Sequence, residues 1–296
     1  MPHRADIHIR DPFVVPLIGE RRYCLYGTTG SECWGVGTGF YAYTGVDLEN
    51  WDGPIPVFRP PAGFWATKNF WAPEVHPFNG RWYLFATFKS DDRERGTQVL
   101  MSDSPMGPFR TISDGPATPP AWGCLDGTLF VDDAGAPWMV FCHEWVQTRD
   151  GEMCAVRLTS DLSAAQGEPT LLFRASEAPW VRPIRSEQYG VEKGYVTDGP
   201  FLYRAGDGAL LMLWSSVGAT GYAIGVARSA SGAITGPWTQ SRDPLFGRNG
   251  GHGMLFRDFT GRLMLTIHVP NGAPKERPIF IEVEDAAEGL RCRREG

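Results

Sequence analysis

A short pattern recurs five times along the chain, and this recurrence limits the fold more than any other feature. Each copy opens on a polar or small residue, runs into an apolar stretch, turns, and enters a second apolar stretch. Three copies read Asp11-Pro12-Phe13-Val14-Val15 before Tyr23-Cys24-Leu25-Tyr26, Ala72-Pro73-Glu74-Val75 before Trp82-Tyr83-Leu84-Phe85, and Asp126-Gly127-Thr128-Leu129-Phe130 before Trp138-Met139-Val140-Phe141. The other two read Asp198-Gly199-Pro200-Phe201-Leu202 before Leu211-Met212-Leu213-Trp214, and His252-Gly253-Met254-Leu255-Phe256 before Leu263-Met264-Leu265-Thr266. Asn79-Gly80 and Asp207-Gly208 mark hairpin turns between the paired runs. A third run follows in several copies, as in Val99-Leu100-Met101-Ser102 and Gly225-Val226-Ala227-Arg228-Ser229. Gly107-Pro108-Phe109 and Gly236-Pro237-Trp238 then turn the chain toward an outer strand. Strand units repeated at roughly 50–75 residues predict a radial array, because one unit cannot bury its own apolar face. Few windows hold a helical stripe. The expected fold is all-β, a five-bladed β-propeller, with residues 1–296 forming a single domain.

Composition narrows the function classes. The 296 residues are 42% hydrophobic, enough for a sizeable core. Net charge is -6 with no basic run, so nucleic acid is not an expected partner. No stretch approaches the ~20 apolar residues of a membrane span, and Met1 to Asp6 carry no apolar leader core. The six cysteines show no CxxC spacing, which points to a reduced, cytoplasmic protein without structural zinc. Arg291-Cys292-Arg293-Arg294 reads as a solvated tail.

The innermost strand of each blade lines the central channel. Asp11, Asp126 and Asp198, in equivalent places of three copies, and His252 in a fourth are therefore expected at one end of one axis. A carboxylate cluster without a basic run suits glycoside hydrolysis, which needs an acid and a base flanking the bond. It also suits hard-cation binding by oxygen ligands.

Arg10-Asp11-Pro12-Phe13, Phe70-Trp71-Ala72-Pro73-Glu74-Val75, Leu125-Asp126-Gly127-Thr128-Leu129-Phe130, Asp198-Gly199-Pro200-Phe201 and Gly251-His252-Gly253 resemble, in order, the signature words of glycoside hydrolase family 43. The resemblance runs from about Asp11 to about His268. It implies a five-bladed propeller acting with inversion, mostly on arabinofuranosides and xylosides. Asp11 then matches the general base, Asp126 the aspartate that orients the acid and tunes its pKa, and Asp198 the general acid. The family usually has Glu-Gly-Pro where this chain has Asp198-Gly199-Pro200, so the acid is one methylene short. Either the backbone compensates, or the acid comes from elsewhere, with Glu144 the best rival and Glu187 and Glu192 behind it, or hydrolysis is altered or lost.

Trp71 matches the family's sugar platform; Trp145 and Glu144 follow an inner strand, and Glu74 either bonds sugar hydroxyls or terminates a strand. His252 matches a histidine that in many family members approaches a cation or water cluster. No cofactor is required, and calcium on the channel axis, with His252 as one ligand among waters, is the only metal the resemblance brings in. The expected partner is a small plant-derived oligosaccharide from which terminal arabinofuranosyl or xylosyl units are removed. Two other readings stand beside this one. One is a carbohydrate-binding propeller with a degenerate site. The other is a related five-bladed glycosidase or phosphorylase on another sugar, whose phosphate would fall to Arg10, Lys68, Arg182 or Arg185.

Overall fold

The computed structural model describes residues 1–29, 31–286 and 289–293 and forms a five-bladed β-propeller. Blade I consists of β1 (Ile9–Leu17), β2 (Arg22–Thr29), β3 (Phe40–Gly45) and β4 (Asp52–Phe58). Blade II follows with β5 (Lys68–Phe78), β6 (Arg81–Lys89), β7 (Gly96–Ser102) and β8 (Arg110–Thr111). Blade III contains β9 (Cys124–Val131), β10 (Pro137–His143), β11 (Glu152–Leu158) and β12 (Ala165–Arg174). A hairpin of β13 (Ile184–Ser186) and β14 (Val191–Gly194) precedes blade IV. That blade has β15 (Asp198–Arg204), β16 (Leu210–Gly218), β17 (Gly221–Ser229) and β18 (Trp238–Gln240). Blade V is β19 (Gly251–Arg257), β20 (Leu263–Val269), β21 (Arg277–Ala286) and β22 (Gly289–Cys292).

Every blade is an antiparallel meander of consecutive strands. Local sequence explains the meander: Asn79 (φ 47°) and Gly80 (φ 76°) both take the left-handed conformation that a tight β5–β6 hairpin needs. The Gly-Pro-aromatic words do lead into the outer strands β8 and β18. Apolar runs bury their side chains between neighbouring sheets, as where Phe40 and Phe58 of blade I meet Phe70 and Phe88 of blade II. Arg291 and Cys292 are not tail residues, since they pair in β22 with Glu284 and Val283; Arg294 lies outside the described residues.

One backbone device repeats around the axis. Near its start each inner strand carries a register shift and a residue with left-handed φ at an equivalent place: Asp11 (52°), Ala72 (47°), Asp126 (55°), Gly199 (47°) and His252 (46°), with Asn69 (54°) a second in β5. A bulge of this kind frees the local N–H from the ladder, so another acceptor must take it. The preceding blade provides that acceptor. Thr28 Oγ1 accepts from Ala72 N–H at 2.7 Å, Thr87 Oγ1 from Asp126 N–H at 2.8 Å, and Ser215 Oγ from His252 N–H at 2.8 Å. His268 Nδ1 accepts from Asp11 N–H at 3.2 Å. The equivalent position in blade III is Cys142, and there Asp126 Oδ2 takes the Gly199 N–H instead, at 3.1 Å.

This ring corrects one expectation. Asp11, Asp126 and His252 are equivalent, but Asp198 is not. It stands one residue earlier, opposite Ser215, where the other blades have Arg10, Trp71, Leu125 and Gly251. Gly199 occupies the left-handed place, and an added Cβ there would lie 2.6 Å from the His252 ring.

The ring closes without exchanging a strand. Ile9 N–H donates to Glu276 O at 3.4 Å, and the fully buried Glu276 carboxylate holds Arg10 at 2.6 Å and His8 at 3.1 Å. Close packing at the bulges leaves little freedom. A Cβ on Gly253 would sit 1.7 Å from Thr266 O. Gly253→Ala should therefore lower stability by about 3 kcal/mol, read as a drop in Tm, because strand backbone must move to admit it. An unchanged Tm would mean that β19 and β20 are not packed this closely.

Candidate active site

The inner-strand bulges turn a set of side chains into one cavity at the axial end of the ring. Its lining includes Asp11, Trp71, Asp126, Glu144, Trp145, Asp198 and His252, together with Arg10, Arg95, Trp34 and Tyr189. Seven of the ten catalytic or sugar-binding candidates named in the sequence thus meet in one place, while Glu187 and Glu192 stay outside it, exposed beside Arg185. Glu74 is also absent: it is buried outside the cavity with its carboxylate 2.9 Å from His76 Nε2. Of the four basic residues considered for phosphate, only Arg10 reaches the cavity, and Lys68 is paired with Asp91.

His252 stands at the centre. Its Nδ1 lies 3.2 Å from Asp11 Oδ1, 3.7 Å from Asp126 Oδ2 and 3.9 Å from Asp198 Oδ1. The environments of the three carboxylates differ. Asp11 is buried, which alone would raise its pKa. The neighbouring His252, Arg10 and His268 and the 2.7 Å bond from Thr28 Oγ1 outweigh that, and the carboxyl is held below its ordinary value. Asp126 goes the other way. Burial, then the adjacent Asp198 carboxyl and Asp11, push it well above the carboxylate range, against the bond from Gly199 N–H. Asp126 and Asp198 form a close pair, with a carboxylate oxygen of each within 4.8 Å of the other, and the Asp198 carboxyl favours a proton on Asp126. Asp198 is the pair's open member, with 25% of its side chain exposed against 4% for Asp126. The Tyr222 hydroxyl donates to Asp198 Oδ2 at 2.6 Å, and Oδ1 is the oxygen nearer His252 Nδ1.

Support lies directly beneath. His268 is fully buried, and burial holds its pKa down at about 4. The neutral ring accepts from Asp11 N–H at Nδ1 and donates from Nε2 to Asn271 Oδ1 at 3.2 Å. Tyr222 stacks on it, with ring centroids 5.6 Å apart.

Two arginine–carboxylate pairs form the walls. Arg10 is held by Glu276, and its guanidinium lies 5.5 Å from the Trp34 ring centre. Arg95 binds both Glu144 oxygens through Nη1 and Asn69 Oδ1 through Nε at 3.2 Å, and lies 4.9 Å from the Trp71 ring centre. Burial still keeps the Glu144 carboxyl above its usual value, in spite of Arg95. Arg95, Tyr222, Trp34 and Tyr189 stand outside the repeated words and carried no signal in the sequence. Trp122 stacks on His143 at 4.2 Å and does not line the cavity.

Asp126, Asp198 and His252 bring one ligand atom each within 4.8 Å of one another. Calcium takes 6–8 oxygens, so this donor set is no cage for it. Asp198 Oδ2 and Asp126 Oδ2 are also already bonded to Tyr222 and Gly199. A cation here would rest mainly on water, and the chemistry of the site is built from carboxylates and an imidazole.

A five-bladed ring with one carboxyl held below and another pushed above its ordinary pKa at its axial mouth, between tryptophan walls, is the layout of a carbohydrate-active enzyme. Residues 7–282 match the family Glycosyl hydrolases family 43, and the chain belongs to that family of glycoside hydrolases. Among solved structures, an endo-arabinase from Bacteroides thetaiotaomicron VPI-5482 superposes with a TM-score of 0.89 at 43% identity, covering 96% of this chain and 97% of the other. Xylosidase/arabinosidase 43A of Humicola insolens is 32% identical over 83 residues, which are 27% of this chain and 24% of that protein. Extracellular endo-alpha-(1->5)-L-arabinanase 1 of Bacillus subtilis (strain 168) is 24% identical over 132 residues, 39% of this chain and 41% of that protein. The chain thus matches less than half the length of these two curated relatives.

Proposed function

We propose that the protein hydrolyses α-L-arabinofuranosidic bonds with inversion, using Asp11 as general base, Asp198 as general acid and Asp126 as the partner that keeps a proton on the acid. The observation that carries this reading is the split in carboxyl environments: Asp11 is held below the ordinary carboxylate range while Asp126, beside Asp198, is pushed well above it in the same cavity. Asp11 takes a proton from water as the water oxygen attacks the anomeric carbon. Asp198 gives its proton to the departing glycosidic oxygen on the opposite face. The Asp11 and Asp198 oxygens nearest to His252 Nδ1 are 3.2 and 3.9 Å from it, so they are separated by at most the sum of the two. That upper limit overlaps the near end of the ~6.5–9.5 Å span of inverting pairs. Arabinose is favoured over xylose by the whole-length likeness to an endo-arabinase. Glu144 is the weaker choice of acid because Arg95 occupies both its oxygens.

The test is hydrolysis of aryl α-L-arabinofuranoside against aryl β-D-xyloside, with the anomer of the first-formed sugar followed by NMR. Retention, or turnover of the xyloside alone, would overturn the reading. The pH profile of kcat/KM gives a second check. Activity falls on the acid side as Asp11 takes up a proton, below the ordinary carboxylate range because its pKa is lowered. On the alkaline side it falls as Asp126 loses its proton, above that range because burial and the neighbouring Asp198 raise its pKa. An alkaline limb within the ordinary carboxylate range would speak against a raised Asp126 as its source.

A further inference from the structure

Only two aromatic side chains are exposed among the described residues, Trp34 (59%) and Tyr189 (38%), and both line the catalytic cavity. A single exposed aromatic means little, but two at one cavity mouth mark a surface that a ligand covers. They arrive from different parts of the ring. Trp34 follows β2 of blade I, and Tyr189 is at the tip of the β13–β14 hairpin between blades III and IV.

Neither ring hangs free. Trp34 meets Trp71 edge-on at 5.1 Å and carries the Arg10 guanidinium at 5.5 Å, while the Trp71 indole N–H donates to the Cys33 carbonyl. Tyr189 meets Trp145 edge-on at 5.8 Å. Trp145 is seated by Gly194, where a Cβ would lie 2.7 Å from its ring. Each outer ring therefore rests edge-on against an inner tryptophan, and both pairs line the same cavity as the aspartates. An exposed aromatic face held at a fixed angle suits a sugar ring, whose C–H face is apolar and whose hydroxyls stay wet. The charges also limit the ligand. Asp11, Asp126, Asp198 and Glu144 line the cavity, whereas Arg10 and Arg95 are each engaged by a carboxylate, so an acidic sugar is disfavoured.

We propose that Trp34 and Tyr189 are platforms for sugar units on either side of the cleaved bond, so that the substrate is a linear neutral pentose oligosaccharide spanning the cavity and not a lone terminal unit. The idea rests on the proposed glycosidase reading but is tested apart from it. The experiment measures kcat/KM for an aryl α-L-arabinofuranoside and for α-1,5-linked arabino-oligosaccharides of two to six units, with the wild type, Trp34→Ala and Tyr189→Ala. The wild-type value should rise with chain length. Each variant should lose about 5- to 10-fold more on the longest oligosaccharide than on the aryl glycoside. Equal losses on both substrates, or none on either, overturn the platform role while leaving the glycosidase reading in place. If the wild type cleaves no arabinofuranoside, the glycosidase reading fails, and calorimetric binding of arabino- and xylo-oligosaccharides to the same proteins decides the platforms. Affinity that grows with length and flattens in both variants upholds them, and affinity independent of length sinks them.

Discussion

Asp11→Asn should reduce kcat on an aryl α-L-arabinofuranoside by about 10³- to 10⁴-fold, the scale on which a positioned general base contributes. Asparagine is the informative replacement because residue 11 has φ 52°, and Asn tolerates the left-handed region better than Ala does. Its side-chain oxygen can still accept from Thr28, and its backbone N–H still reaches His268. What disappears is the charge facing His252 and Arg10, so a stability loss of about 1–3 kcal/mol accompanies the change. Circular dichroism and Tm separate that loss from the kinetic one. A folded variant with near-normal turnover would remove the base assignment.

Asp198→Asn tests the acid, and its signature is selectivity between leaving groups. A departing phenolate needs little help from a proton, whereas a departing sugar alkoxide needs it fully. The variant should therefore lose about 10³-fold on arabino-oligosaccharides and less than about 10-fold on an activated aryl glycoside. The Tyr222 hydroxyl can still donate to the amide oxygen, so the side chain keeps its place. Equal loss on both substrates would assign Asp198 a supporting role. Glu144→Gln is the necessary companion: if it shows the leaving-group pattern and Asp198→Asn does not, the acid is Glu144, with Arg95 moving aside on substrate binding.

The repeated words made the blades legible because a strand pair is local. An apolar run, an Asn-Gly turn and a second run specify a hairpin without help from distant residues. Gathering Asp11, Asp126 and His252 at one axial end followed from the repeat itself. The offset of Asp198 was hidden by aligning acid with acid. The proline keeps the register: Asp11-Pro12, Ala72-Pro73 and Gly199-Pro200 superpose, which puts Asp198 one place early. Glu74 failed for a related reason. It is two residues beyond the left-handed Ala72, where blade I has the buried Phe13, so its side chain turns to His76 and not to the cavity. Of the walls, Trp71, Glu144 and Trp145 were named from the sequence, and the rest was not legible. Arg95, Trp34 and Tyr189 sit on connections of unlike length and composition, and their meeting depends on how the blades pack around the axis.

The seam between blades V and I has a consequence for the order of assembly. Asp11 stands in the first blade of the chain, yet His252, His268 and Glu276, which set its charge, its backbone and its neighbour Arg10, all stand in the last. No strand is shared across that seam, so these contacts form only when the final blade docks against the first. As the chain emerges in synthesis, the residue made earliest at the site is completed latest. A partly assembled ring would carry a carboxyl at position 11 without the companions that tune it, so hydrolytic competence would arrive only with closure.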